Sequence, residues 1–164
     1  MFNFKQFLYL ALILVVLLST VSCSKNSHKT NSQLATTDRI IPLQSSISLS
    51  NYNADLYIVN FWATWCPPCR TEIPHFISIT NQYPNRVQVI GISLDNASSV
   101  VESFITDHQI NYPVTMKSGF DTSQFDQLSA LPTTFILDKN YAVLKKLVGY
   151  VSETQLQTII NTYL

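Results

Sequence analysis

Hydrophobic positions fall in well-separated blocks along the chain. From Phe7 to Leu18 (FLYLALILVVLL) every position is apolar, behind a single early Lys5 and ahead of the small polar residues Ser19, Thr20 and Ser22. This order predicts an export signal. As a helix the stretch from Phe7 to Ser22 spans roughly 24 Å at about 1.5 Å per residue, short of the ~30 Å hydrocarbon core, so an uncleaved membrane anchor is the second reading. Residues 24–38 (SKNSHKTNSQLATTD) have no hydrophobic period and are rich in Ser, Asn and Thr. They predict a flexible spacer, with His28 as one of its solvated residues.

Beyond the spacer the blocks change character. Leu56 to Trp62 (LYIVNFW) and Val87 to Leu94 (VQVIGISL) are near-continuous apolar runs of strand-forming residues, as expected of strands buried on both faces. Thr133 to Leu137 is a third strand, and Asp138-Lys139-Asn140 turns the chain into Ala142 to Val148, predicting an antiparallel hairpin. Helical patterns lie between and after these runs. One runs from about Cys66 toward Gln82, with Pro68 in its first turn, where a missing N–H does no harm, and with Pro74 expected to kink it. A second is expected to start at Ser99, three residues before Glu102 in capping-box spacing, with Val100, Val101, Phe104 and Ile105 on one face. A shorter helix is expected after Asp121. The last starts at Ser152, with Gln155 three residues on and Leu156, Ile159, Ile160 and Tyr163 at helical spacing. The order predicts one α/β domain with a mostly parallel central sheet flanked by helices. The chain then divides into 1–22 (signal or anchor), 23–38 (polar linker) and 39–164 (folded domain).

Composition narrows the function. The 164 residues carry 10 Lys+Arg and 10 Asp+Glu, a formal net charge of zero, which argues against nucleic acid as a partner because phosphate binding shows as a basic excess. Of three cysteines, Cys23 follows the apolar segment. Thr20, Val21, Ser22 and Cys23 resemble the lipobox of bacterial lipoproteins, with Thr20 where a leucine is usual; Cys23 would become the lipidated N-terminus, or is a cysteine that happens to follow a signal. Either way the domain is placed outside the cytoplasm. Cys66 and Cys69 remain, spaced C-x-x-C, and so small a loop adds little stability when closed. The pair is therefore expected to do chemistry.

That chemistry starts from position. Cys66 stands at the N-terminus of its predicted helix, where the macrodipole and free N–H groups favour a thiolate. Cys69 lies one turn on, close enough to resolve a mixed disulfide formed at Cys66. Pro67 and Pro68 have no N–H, so of the three residues after Cys66 only Cys69 can donate to its sulfur. A thiolate stabilised only moderately leaves the reduced form less favoured, which predicts a reductant more than an oxidant. Trp65 beside Cys66 is a candidate substrate contact, while Phe61 and Trp62 are expected partly in the core. Sites of α/β proteins lie at the carboxyl end of the sheet, where these cysteines fall.

FWATWCPPC at 61–69, with Pro74 after it and LPTTF at 131–135, resembles the thioredoxin superfamily, specifically its exported, membrane-tethered thiol-disulfide oxidoreductases of the TlpA/ResA/CcmG type. The similarity runs from about Pro42 to the C-terminus. It implies a thioredoxin-like fold, a central mixed sheet flanked by helices, with a helix-strand insertion between Asn96 and Ser129, ahead of the strand that follows a cis Pro132. A cis bond there would present the backbone of Leu131 to an extended substrate, with Pro67 and Pro68 on the same rim. Where cytoplasmic thioredoxins carry a buried Asp, this chain has Asn60, and relatives of the exported branch assign proton handling to a Glu three residues past the second Cys. That position is Glu72, which is either a proton acceptor for Cys69 or a solvated residue that suits the helix dipole. The resemblance also implies exported substrates with Cys pairs, apocytochrome c favoured among them, a membrane electron donor, and no organic cofactor.

Other chemistries have less in their favour. Structural zinc needs four ligands and covalent haem needs C-x-x-C-H, whereas position 70 is Arg70. Copper(I) held by Cys66, Cys69 and a His is the non-enzymatic rival, with His75 and His108 candidates by type only. Arg70 and Arg39 show no partner pattern and are expected to be solvated. The expectation is a disulfide-reducing enzyme; a disulfide-donating oxidase and a copper-handling protein are its alternatives.

Overall fold

A computed structural model describes residues 40–125 and 128–164. Cys23, the apolar block, the spacer with His28, and Arg39 lie outside the described residues. Five strands form one sheet: β1 (Leu56–Trp62), β2 (Val87–Ser93), β3 (Val114–Met116), β4 (Thr133–Asp138) and β5 (Val143–Val148). Their order is β3-β2-β1-β4-β5. β2 lies parallel to both β1 and β3, while β4 runs antiparallel to β1 and β5. The helices are α1 (Pro67–Gln82), α2 (Ser98–Asp107) and α3 (Glu153–Tyr163). This is the expected thioredoxin-like fold, and α2 with β3 forms the helix-strand insertion.

The central strand explains the sequence pattern. All seven residues of β1 are buried, because the sheet is covered on both faces. On one face Ile58, Trp62, Ile73, Phe76, Val101, Leu156 and Ile160 pack together; on the other, Tyr57, Val59, Phe61, Phe125 and Phe135 do so. Phe61, Phe125 and Phe135 meet edge-on with centroids 4.9–5.8 Å apart. Phe61 and Trp62 are fully buried, so the cleft rim is left to Trp65. Gly91 is required by close approach: a Cβ there would stand 3.0 Å from Trp62 Nε1 and 3.2 Å from Val114 Cγ2.

Helix ends follow local chemistry, with two corrections. α3 has the expected capping box: Ser152 Oγ accepts from Gln155 N–H while the Gln155 side chain accepts from Ser152 N–H. α2 begins earlier than expected, with Ala97 as N-cap and no side-chain cap. Ser99 is already inside the helix, and an N-cap side chain works only from extended backbone. Val101, Phe104 and Ile105 are buried as expected, but Val100 is exposed. Among the described residues no helix lies between Asp121 and β4; a 3-10 turn at Lys117–Gly119 precedes Asp121 instead. α1 continues through Pro74, whose missing N–H leaves the Arg70 carbonyl without its helical donor. In the hairpin, Asp138 Oδ1 accepts from the N–H groups of Asn140 and Ala142.

Candidate active site

The chain leaves β1 at Trp62 and turns sharply before α1. Cys66 N–H donates to the Ala63 carbonyl at 3.1 Å, closing a turn that has Thr64 and Trp65 at its centre. Cys66 then acts as N-cap of α1 in extended backbone, with Pro67 and Pro68 in the first turn. Its sulfur accepts the Cys69 N–H at 3.4 Å, the donor that sequence singles out. Cys66 and Cys69 form a disulfide with Cα atoms 5.3 Å apart. Cys69 is fully buried and Cys66 nearly so.

A cleft of about 560 Å³ opens over Cys66, lined by Trp65, Pro67, Pro68, Leu94 and the segment Leu128–Leu131. Trp65 is 66% exposed, a large aromatic face left to solvent beside the sulfur. The Leu131-Pro132 bond is cis. Leu131 lines the cleft and Pro132 is buried behind it, its carbonyl accepting the Gly149 N–H at 2.8 Å. The two stretches that the sequence brings forward, 61–69 and 131–135, thus form opposite walls of one opening.

Glu72 is not the solvated residue of one sequence reading. It has no exposed surface, and Asn60 Nδ2 donates to its Oε1 at 2.7 Å while Val151 N–H donates to Oε2 at 3.1 Å. Asn60 also donates to Thr134 Oγ1 at 3.0 Å. Burial pushes the Glu72 carboxyl up to about 7, against the opposing pull of the Val151 and Asn60 donors. A carboxyl group that exchanges its proton near neutrality therefore lies one helical turn past Cys69. The nearby Tyr112 hydroxyl is also buried, which raises it above the usual phenol range.

His75 and His108 are occupied elsewhere. His75 Nδ1 lies 3.2 Å from the Val151 carbonyl oxygen with its ring against Tyr150, and His108 stacks on Phe104 at 3.7 Å. Among the described residues no group of three His, Cys, Asp or Glu is placed to hold a metal ion. Arg70 is exposed, as expected, with its guanidinium over the Phe104 ring at 5.9 Å.

Sequence reasoning missed Asp95, Leu94 and Leu128. Asp95 Oδ2 accepts from Thr64 N–H at 3.0 Å and Oδ1 accepts from Thr64 Oγ1 at 2.7 Å. Its signal was its place just beyond a buried parallel strand, where α/β sites collect.

The sequence profile of the AhpC/TSA family matches residues 31–146. The chain belongs to the AhpC/TSA family. Within it, the chain is similar to the thiol-disulfide oxidoreductase ResA of Oceanobacillus iheyensis, 26% identical over 98% of this chain and 88% of that protein. It is 28% identical to the ResA of Bacillus subtilis over 70% of this chain, spanning 65% of that protein. Among solved structures, a thiol:disulfide interchange protein DsbE from Chlorobium tepidum superposes with a TM-score of 0.66 at 25% identity, covering 77% of this chain and 92% of the other. With its own Cys66–Cys69 pair, this AhpC/TSA member is a thiol-disulfide oxidoreductase on a thioredoxin-like fold.

Proposed function

We propose that the chain reduces disulfides in exported proteins, with the haem-site cysteines of apocytochrome c as the favoured substrate, and that a membrane electron donor returns it to the dithiol form. The observation that carries the direction is the lone backbone donor at Cys66: Cys69 N–H reaches the sulfur at 3.4 Å, and Pro67 and Pro68 have none to offer. A thiolate so sparsely held makes the dithiol a better reductant.

In the reaction the Cys66 thiolate attacks one sulfur of the substrate disulfide. This forms a mixed disulfide and releases the other substrate sulfur as a thiolate, which takes a proton from water. Glu72, as carboxylate, accepts the Cys69 proton; the Cys69 thiolate then attacks Cys66 Sγ, closing the enzyme disulfide and expelling the second substrate thiolate. Two electrons have moved to the substrate. Trp65, Pro67, Pro68 and the Leu131-Pro132 segment would hold the substrate chain in the cleft, its backbone extended along Leu131. The N-terminal segment would keep the domain at the outer side of a membrane, through lipid on Cys23 or through an uncleaved helix.

The test is the reduction potential of the Cys66/Cys69 couple, measured on the purified full chain in glutathione and dithiothreitol buffers. A value near or below about −270 mV is expected and supports a reductase; a value toward about −120 mV makes the chain a disulfide-donating oxidase and removes the argument from the prolines.

A further inference from the structure

We infer that Asp95 is a positioning residue for the cysteine-bearing turn, fixing Trp65 and Cys66 against the far wall of the cleft so that an extended disulfide substrate is recognised. The register of the sheet creates the arrangement. Trp62 on β1 pairs with Ser93 on β2, so Thr64 and Asp95, each two residues further along parallel strands, leave the sheet side by side. Leu94 N–H donates to the Trp62 carbonyl at 2.9 Å and extends the pairing to the point where the chains part. Beyond it backbone pairing stops, and the Asp95 carboxylate takes over.

Both carboxylate oxygens face the turn. Oδ2 accepts the Thr64 N–H at 3.0 Å and Oδ1 accepts the Thr64 hydroxyl at 2.7 Å. Ser93 Oγ donates to Oδ2 at 2.8 Å and accepts the Asp95 N–H at 3.1 Å, which holds the carboxylate in this pose. Thr64 is the second residue of the turn that ends on Cys66, so its N–H has no partner within the turn. Hydrogen bonds to a carboxylate are stronger than neutral ones, and this pair grips the turn from outside α1. The residue that follows Thr64 is Trp65, 66% exposed, and the residue before Asp95 is Leu94; both line the cleft with Cys66. One carboxylate therefore joins two pieces of the near wall, and the spacing of that wall from Leu131 depends on it.

The inference rests on thiol-disulfide exchange at Cys66 and not on the direction of net electron flow. Its experiment takes the reduced full-length protein and compares two oxidised probes. One is a synthetic extended peptide closed by a C-x-x-C disulfide between apolar flanks; the other is hydroxyethyl disulfide, which has no chain to dock. The readout is the ratio of second-order rate constants, from which any change in the amount of Cys66 thiolate cancels because both probes meet the same sulfur. The wild type is expected to favour the peptide. Asp95→Ala is expected to lower the ratio about tenfold and Thr64→Val to lower it in the same direction, while Asp95→Asn, which can still accept the Thr64 N–H but without the charge, falls by clearly less than Asp95→Ala.

Thr64→Val keeps the side-chain shape and removes one of the two bonds, so it decides the matter even where Asp95→Ala does not fold. A ratio unchanged in Thr64→Val, or in a folded Asp95→Ala, overturns the inference, as does Asp95→Asn falling as far as a folded Asp95→Ala, or a wild type without preference for the peptide. An oxidase-like reduction potential would overturn the proposed direction and leave this comparison standing.

Discussion

Glu72 carries a conflict between burial and charge. Its carboxyl is enclosed, and the Asn60 and Val151 donors hold it without a cation beside it, so desolvation wins and raises it from 4.5 to about 7. An acid whose folded value is raised stabilises the fold fully below its unfolded value and loses that contribution as pH rises through the folded one. The Glu72 share of stability is therefore present below about pH 4.5 and gone above about pH 7, a swing on the order of 3 kcal/mol. Glu72→Gln removes the swing, and it also turns an amide NH2 toward either the Asn60 or the Val151 donor, at a cost of about 1–3 kcal/mol. Urea midpoints of the oxidised protein at pH 5 and pH 8 should differ less in the variant than in the wild type. Equal differences would mean that the charge on Glu72 does not govern the pH response. The same variant tests the catalytic role: the resolving step at Cys69 should lose its dependence on a group titrating near neutrality.

At the scale of elements, the loop between β5 and α3 ties the site to the C-terminal helix. Gly149, at φ +89°, donates to the Pro132 carbonyl, Val151 donates to Glu72, and Ser152 caps α3. Ser152→Ala breaks the capping box and should lower stability by about 1 kcal/mol in urea or thermal unfolding. A loss under a few tenths would mean that packing of Leu156 and Ile160 alone sets this end of the helix. The Ser152 spacing held because Ser152 stands in extended backbone just ahead of its helix, where its side chain reaches the Gln155 N–H. Ser99 misled because the same spacing recurs inside a helix, and spacing alone does not report where the backbone turns helical. β1 and β2 were legible because burial on both faces writes a continuous apolar run. β3, only three residues long, has too little period to stand out. The cysteines were legible as chemistry, and the LPTT segment through the family resemblance. The grip of Asp95 on Thr64 was not, since it exists only once the parallel register sets residues 31 apart side by side.

For the whole molecule, the proposed membrane tether takes one of two forms. Among the described residues no helix is long and apolar enough to cross a membrane. The formal net charge is zero, which leaves no general electrostatic attraction to an anionic surface to do the work. The apolar stretch Phe7–Leu18 and Cys23 remain as the two candidates, and they predict different masses. If Cys23 is lipidated, the chain made in a bacterial host that processes lipoproteins should start at Cys23, carry added acyl mass and fractionate with membranes. Cys23→Ser should then leave the preceding segment uncut. A membrane-bound wild type with the mass of the whole chain would instead make the apolar stretch the anchor. A chain cut before or at Cys23, without acyl mass and free in the soluble fraction, would remove both forms of tether and leave a diffusing oxidoreductase. A single lipid group gives only marginal, reversible binding, so stable retention calls for more than one acyl chain on Cys23, and intact-mass spectrometry of the membrane fraction counts them.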